Sequence, residues 1–467
     1  MRPQYTEAVK SPGAILLVAC YELGHQPLAV AWPAAFLERQ GFAPSVLDLS
    51  VEPFDIEKVR TARLVAISVP MHTALRLGVV AAERVRAVNP TCHVCFYGLY
   101  AALNADHLLA HGADSVLAGE VEQALVELAI SLEREPAPVR PSATTEGSAQ
   151  LVKLDFPTPR RAQLPSLKKY AHIERAGRQE LAGYVEASRG CLHLCRHCPI
   201  PPVYGGRFFV VPRAVVLADV RQHVEAGATH ITFGDPDFLN GPGHALAVAR
   251  GLHAEFPTLT FDITAKVEHL QRHRDRLPEL AELGCAFIVT AAESLNDTVL
   301  SHLAKGHTRA DLVQVLASAR AAGLPLRPTW VPFTPWSTLA DYRELLDFIE
   351  AEDLVDAVDP VQLSIRLLIP PGSLLVESPA MRPYLGELVG GDFCYRWAHP
   401  DPAMERLHAE VIGVVAKAAQ RREEARITFD RIHRLADRVA GVPERPALAA
   451  AAPARPPGPR LTEPWFC

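Results

Sequence analysis

Along the first 132 residues, short apolar runs alternate with segments of helical spacing. Runs 13–19, 46–49, 64–69 and 92–97 predict buried strands, while 27–40, closed by Gly41, and 74–88 space their apolar residues as amphipathic helices do. Strand and helix in alternation predict a parallel sheet covered on both faces, with ligands beyond the carboxyl ends of the strands. Segments 21–25, 70–73, 98–102 and 119–122 occupy those ends. Residues 133–153 are rich in Pro, Ser, Thr, Gly and Ala and predict a linker; 154–157 and 164–170 keep apolar residues between prolines, as a strap packed on both neighbouring domains would.

The alternation restarts at Leu181. Strands are expected at 181–188, 230–233, 258–264, 286–291, 326–331 and 361–368, with helices at 213–226, 244–256, 278–283, 297–304, 309–322 and 339–351. Six strands are too few to close an eight-stranded barrel, so the expected shape is a partial (β/α)6 barrel with its site at the strands' carboxyl ends. Helices at 401–418 and 421–439 follow, the second with an arginine-rich, solvated face. Residues 441–460 are Ala- and Pro-rich and read as flexible. The organisation is therefore α/β: a Rossmann-like, flavodoxin-like domain (1–132), a linker and strap (133–180), a partial barrel (181–375), a helical region (376–440) and a tail (441–467).

Composition narrows the class without naming a reaction. The chain has 467 residues, 49% hydrophobic and 21% charged, with a net charge of −6, which argues against a broad nucleic-acid surface. No apolar run approaches the roughly 18 residues that a membrane span needs. Nine cysteines without a signal peptide are not a secreted disulfide framework, and a cytoplasmic protein is expected.

Three of those cysteines, Cys191, Cys195 and Cys198, fall in a C-x3-C-x2-C spacing directly after the strand expected at 181–188. Three thiolates satisfy three irons of a [4Fe–4S] cube and leave the fourth open, whereas clusters that only carry electrons usually have four cysteine ligands. A zinc site with His193 or His197 as fourth ligand is the alternative. Cys92 and Cys95 form a C-x2-C pair, but strand alternation sends them to opposite faces.

The cysteine spacing, preceded by Arg189-Gly190, resembles the signature of the radical S-adenosylmethionine (SAM) superfamily. That resemblance implies a [4Fe–4S] cluster whose open iron binds SAM, cleavage to a 5′-deoxyadenosyl radical, and an external one-electron donor of flavodoxin or ferredoxin type. His197, at a position usually aromatic, is a candidate to stack on adenine. Phe233-Gly-Asp-Pro-Asp-Phe238 resembles the stretch that meets the SAM ammonium, making Asp235 the first candidate and Asp237 the second. Glu293-Ser294 resembles a pair that meets the SAM ribose or carboxylate. Lys266, Glu268 and Lys305 share that edge, Arg366 is a candidate to pair an acidic substrate, and Trp330 and Trp336 are divided between site and core.

The first domain resembles the cobalamin-binding domains that precede many radical SAM domains, with Ser68, Gly98, Gly119 and Glu120 as the corresponding contacts. The Asp-x-His-x-x-Gly loop of classical cobalamin domains is absent, and His25 is not expected to ligate cobalt. His72 reads as a hydrogen-bonded structural residue. Together the resemblances imply a cobalamin-dependent radical SAM enzyme, with methyl transfer to an unactivated carbon of an unknown substrate favoured. A radical SAM enzyme without corrin, performing rearrangement or thiolation, and a zinc- or cluster-binding sensor are the alternatives. The ending Leu461-Thr-Glu-Pro-Trp-Phe-Cys467 resembles a radical SAM group whose chains end in Cys-Cys-Ala-Glu-Pro or Cys-selenocysteine-Ala-Glu-Pro, which implies a selenoprotein truncated at a UGA codon.

Overall fold

A computed structural model describes residues 8–134, 151–443 and 458–463. In the first domain β1 (Ile15–Ala19), β2 (Ser45–Asp48), β3 (Leu64–Ser68), β4 (His93–Tyr97) and β5 (Ser115–Leu117) form one parallel sheet in the order β2-β1-β3-β4-β5. Every residue of β1, β3 and β4 is buried, because helices cover both faces. Leu28–Arg39 and Val121–Arg134 lie on one face and His72–Val88 on the other. The neighbours of β1 are reached by crossovers in opposite directions, which opens a crevice at the carboxyl ends of β1 and β3. Cys95 and Cys92 fall into the cores on opposite sides of this sheet.

A hairpin of β6 (His172–Arg175) and β7 (Arg178–Val185) opens the second domain. Next come a short antiparallel pair, β8 (Ser188–Gly190) with β9 (Phe208–Val210), and then β10 (His230–Phe233), β11 (Thr260–Thr264), β12 (Cys285–Glu293) and β13 (Leu326–Trp330). β7, β10, β11, β12 and β13 are parallel neighbours in one curved sheet. A hairpin of β14 (Leu385–Val389) and β15 (Cys394–Trp397) follows. β16 (Arg460–Leu461) then returns antiparallel to β6 at the far edge of the large sheet. The fold is α/β, with a Rossmann-like domain, a half-barrel sheet and a helical C-terminal region.

The segment expected as a sixth barrel strand behaves differently. Pro360–Ser364 turns as a 3-10 helix, and only one bridge, Phe333 to Arg366, continues the sheet. The free edge of β13 is satisfied by a side chain instead, since Trp330 N donates to Gln362 Oε1 at 3.2 Å. The hairpins β6–β7 and β14–β15 were not anticipated, nor was the return of β16. In the helical region Pro402–Arg421 packs on Ala425–Val439, which buries Phe429, Ile432 and Leu435. Several arginines of the second helix are paired with acids, as in Arg426–Asp356 and Arg431–Glu423.

Segment 154–167 ties the two sheets together. Leu154, Phe156, Leu164 and Leu167 are buried, and Pro157 O accepts from Trp32 Nε1 at 3.0 Å. Arg161 donates from Nε and Nη2 to the two carboxylate oxygens of Asp219 at 3.0 and 2.8 Å, and also from Nη2 to Tyr184 O and from Nη1 to Gln26 O. Both side chains of this ion pair are at least 93% buried. Removing one partner leaves a buried charge uncompensated, so Arg161→Ala is expected to lower unfolding stability by about 3–5 kcal/mol in a denaturant titration; a loss under about 1 kcal/mol would show that the pair does not hold the domains.

Candidate functional site at the domain junction

Gly190 hands the chain from β8 to the cysteine loop. Its φ is +75°, and a Cβ there would meet Arg207 O at 2.5 Å, so only glycine passes without strain. Cys191 and Cys195 are buried and Cys198 is partly buried; all the described cysteines are free thiols. The loop is held from three sides. Leu192 N donates to Asn240 Oδ1 at 3.2 Å, Arg196 N to Leu303 O at 2.9 Å, and Ser373 Oγ to Arg196 O at 3.1 Å. Three thiols on one braced turn fit three irons of a cluster.

Around this loop the expected residues divide into two groups. His197 and Glu293 come together with Lys305, whose Nζ donates to Glu293 Oε1 at 3.1 Å, while His197 Nε2 lies 3.2 Å from the same oxygen. Burial opposes ionisation of Glu293, but Lys305, then His197, outweighs it and holds the carboxyl well below its usual range. Glu293 follows a register shift on β12 and has φ +64°, a left-handed conformation that costs energy for a non-glycine residue. Lys305 also feels the Cys195 and Cys198 thiols.

Asp235, Asp237 and Ser294, by contrast, are engaged with backbone. Asp235 accepts from Ala187 N at 2.8 Å and from Ser188 Oγ at 2.5 Å, and so fixes the turn leading into the cluster loop. Burial pushes its carboxyl up to about 7 despite those donors. Asp237 accepts from Leu239 N at 3.0 Å, and Ser294 Oγ accepts from Asn296 N at 3.0 Å.

Ser68, Gly98 and Gly119 line a cavity of about 290 Å³ between the two domains. Ser68 Oγ is buried beside Tyr97 at this strand end. A Cβ on Gly98 (φ +104°) would press on the Val69 carbonyl at 3.2 Å, so the strand end is open to close approach. Glu22 borders the same space, and burial, with Asp48 and Glu186 nearby, pushes its carboxyl up to about 8. A second cavity of about 410 Å³ fills the barrel lumen, and Leu23, His25, Met71 and Tyr184 border both.

Glu120 enters an ion cluster whose other members, Arg189, Glu122, Glu186 and Tyr204, line this space. Arg189 Nη1 donates to Glu120 Oε2 at 3.1 Å and to Glu122 Oε1 at 2.6 Å, and its Nε donates to Glu186 Oε2 at 3.0 Å. Its guanidinium also lies 4.3 Å from the Trp32 ring centroid, and Tyr204 Oη donates to the other oxygen of Glu120 at 2.8 Å. Burial works against the Arg189 charge, yet Glu122, Glu120 and Glu186 hold it ionised.

Residues 14–129 match the B12 binding domain family, and residues 185–349 match the Radical SAM superfamily. The chain carries a B12-binding domain followed by a radical SAM domain. These domains bring a [4Fe–4S] cluster, SAM and cobalamin as their cofactors. The chain is 25% identical over 229 residues to bacteriochlorophyllide d C-12(1)-methyltransferase of Chlorobaculum tepidum, covering 47% of this chain and 46% of that enzyme. It is 28% identical over 197 residues to the ribosomal protein uS12 methylthiotransferase RimO of Porphyromonas gingivalis, covering 38% and 44%. The matches thus span about half the length of these relatives. The fold is shared with the cobalamin-dependent SAM radical enzyme OxsB with aqua-cobalamin bound (TM-score 0.67, 15% identity, 87% of this chain and 67% of that one). It is also shared with the radical SAM methyltransferase TsrM of Kitasatospora setae (TM-score 0.58, 17% identity, 78% and 75%).

In the B12-binding domain His25 Nε2 lies 2.7 Å from Glu463 Oε1, and the ring stacks on Tyr184. His72 Nε2 lies 2.8 Å from Asp392 O. In the radical SAM domain Lys266 donates to Glu268 at 3.3 Å. Trp330 is fully buried, and Trp336 Nε1 donates to Ala380 O at 3.1 Å. Arg366 is occupied by a two-pronged bond to Glu405 at 2.8 Å and stacks on Trp397. The Arg189 ion cluster was not foreseen, since its partners lie 67 and 69 positions away; acidic Glu120 and Glu122 at one strand end and Arg189 before the first cysteine were the available signals. Residues 464–467, with Cys467, lie outside the described residues, and among the described ones no helix is long and apolar enough to cross a membrane.

The raised Asp235 carboxyl carries a pH signature. An unfolded aspartate ionises near pH 4 and the folded one near 7, so the folded state keeps a proton that the unfolded state has lost, and stability falls as pH rises through that window. Asp235→Asn removes this dependence. The unfolding free energy of the variant minus that of the parent is expected to rise from pH 4 to 7 in parallel denaturant titrations; a flat difference would mean Asp235 is ionised throughout.

Proposed function

We propose that this protein is a cobalamin-dependent radical SAM enzyme that transfers a methyl group to an unactivated carbon of a substrate held in the barrel lumen. The observation that carries this reading is that the two cavities share a wall. The one at Ser68, Gly98 and Gly119 and the lumen bordered by Asp262, Arg327 and Asp359 are both lined by Leu23, His25, Met71, Tyr184 and Ile200, and Ile200 stands two residues beyond Cys198. When bound, the cluster and SAM supply a 5′-deoxyadenosyl radical, and cobalamin supplies the methyl group.

The chain's own residues bind, orient and shield. Cys191, Cys195 and Cys198 hold the cluster, with an external one-electron donor of flavodoxin or ferredoxin type reducing it. Glu293 and His197, braced by Lys305, receive the polar edge of SAM. Asp235 acts by holding Ala187 and Ser188, Asp237 and Ser294 by shaping the turns after β10 and β12. Ser68, Gly98 and Gly119 accept the cobalamin at the strand ends, and Glu120 fixes the domain orientation through Arg189. Phe233, Phe287 and Val289 beside Asp262, Arg327 and Gln362 suit a substrate with an apolar body and polar termini. They also keep bulk water from the reacting carbon.

Anaerobic reconstitution with iron, sulfide and hydroxocobalamin, followed by desalting, is expected to give cluster absorption together with about one corrin per chain. With SAM and a reductant, 5′-deoxyadenosine should form. Glu293→Gln should keep the cluster and slow that product at least tenfold, the order of effect of losing one preorganised polar contact. A cluster without corrin would remove methyl transfer and leave radical SAM chemistry; absence of 5′-deoxyadenosine would remove both.

A further inference from the structure

Behind the cysteine loop stands a second group of ligand-type side chains. His193 lies between Cys191 and Cys195, Asp237 caps the turn after β10, and His269 lies on the helix Val267–Arg272 after β11. One donor atom from each of the three lies within 4.8 Å of the others. His269 Nδ1 is 2.8 Å and His193 Nε2 is 3.8 Å from Asp237 Oδ2, and the two imidazole Nε2 atoms are 3.2 Å apart. His269 turns Nδ1 to Asp237 and Nε2 to His193, so only one of those nitrogens can ligate. Adjacent ligands about 2.1 Å from a first-row metal ion stand about 3.0–3.4 Å apart, and side-chain shifts of about an ångström bring one donor from each residue onto one ion.

The polar bookkeeping points the same way. Asp237 is fully buried and His269 nearly so, yet Asp237 Oδ2 and His269 Nδ1 each lack a hydrogen-bond partner although they lie 2.8 Å apart. They are close but not aligned on each other, and an unpaired buried carboxylate oxygen is costly. Asp237 Oδ1 is fixed by Leu239 N, which leaves Oδ2 turned to the histidines. His193 Nδ1, its other nitrogen, lies 3.4 Å from Glu268 Oε2, and Lys266 and Arg272 both donate to Glu268. A carboxylate on the far nitrogen of an imidazole is the usual support of a metal-ligating histidine.

We infer that His193, Asp237 and His269 bind one divalent first-row transition-metal ion, separate from the cluster, which pins the cysteine loop to the ends of β10 and β11. Two imidazoles and one carboxylate are a donor set that iron(II), zinc(II) and cobalt(II) accept. The inference does not depend on methyl transfer or on corrin binding.

The full-length chain, reconstituted with its cluster, is equilibrated with zinc(II), desalted and analysed for metals. About one zinc per chain is expected in addition to the cluster iron, and Asp237→Asn and His269→Gln should each lose the zinc. Should either variant fail to fold by circular dichroism, His193→Gln on the partly exposed loop takes its place. A second measurement is independent of the cluster. The chain with Cys191→Ala, Cys195→Ala and Cys198→Ala is titrated with cobalt(II), and saturation at one ion per chain is expected, with visible ligand-field bands and no thiolate charge-transfer absorption. No zinc in the reconstituted parent, or zinc retained in all the variants, would overturn the inference in favour of a metal-free His-His-Asp hydrogen-bond chain. Cobalt bound with thiolate charge-transfer absorption would overturn it in favour of the remaining cysteines.

Discussion

The geometry of the junction depends on one buried guanidinium. Arg189 stands two residues before Cys191 and is shared by Glu120 and Glu122 of the B12-binding domain and Glu186 of its own strand end. Three carboxylates exceed its single charge, and burial raises Glu120 and Glu186 while Arg189 opposes the shift. Such an arrangement is weak evidence for net stability, but it is intolerant of losing a member, because the remainder would be buried and uncompensated. Its consequence is positional: any rotation of the first domain pulls on the residue that leads into the cysteine loop.

Two sheets end at this junction, and each brings a crevice by topology. The doubly wound sheet opens at the carboxyl ends of β1 and β3, and the half-barrel at the carboxyl ends of its parallel strands. Because the carboxyl ends face each other, Leu23, His25, Met71 and Tyr184 form a wall common to the two cavities. The chain closes the lumen with its own late residues. Leu461 on β16 and Glu463 line the lumen, and Glu463 reaches His25 across the domain boundary.

Behind the cysteine loop the charges follow another logic. Lys305 and Glu293 are both buried and paired, and the strained backbone of Glu293 holds its carboxylate towards His197. A hydrophobic filling would serve stability as well or better, so a charged pair beside three thiols is better explained by what must bind there. His193, Asp237 and His269 extend this polar zone away from the lumen, where their unsatisfied atoms are shielded from water.

Local pattern was sufficient for the α/β class, most element positions and the cysteine turn, since strand burial, helical spacing and the C-x3-C-x2-C spacing are written in neighbouring residues. The helices expected at 309–322 and 339–351 start in the structure at Thr308 and Thr338, each a capping box closed by an aspartate three residues on. The sixth strand read from 361–368 was not decided locally. Its apolar run fits a strand, but Gln362 fills the edge of β13 with a side chain. Asp235 was legible as a strand-end carboxylate, yet its partners Ala187 and Ser188 lie 48 and 47 residues away. Arg189, His269 and Glu463 likewise acquire their partners only when two sheets and a returning strand meet. Sequence alone determined which residues form strands, helices and the cysteine turn, because those preferences act over a few residues. Tertiary structure decided which charges share a buried space, because desolvation and pairing depend on distances that only the packed fold sets.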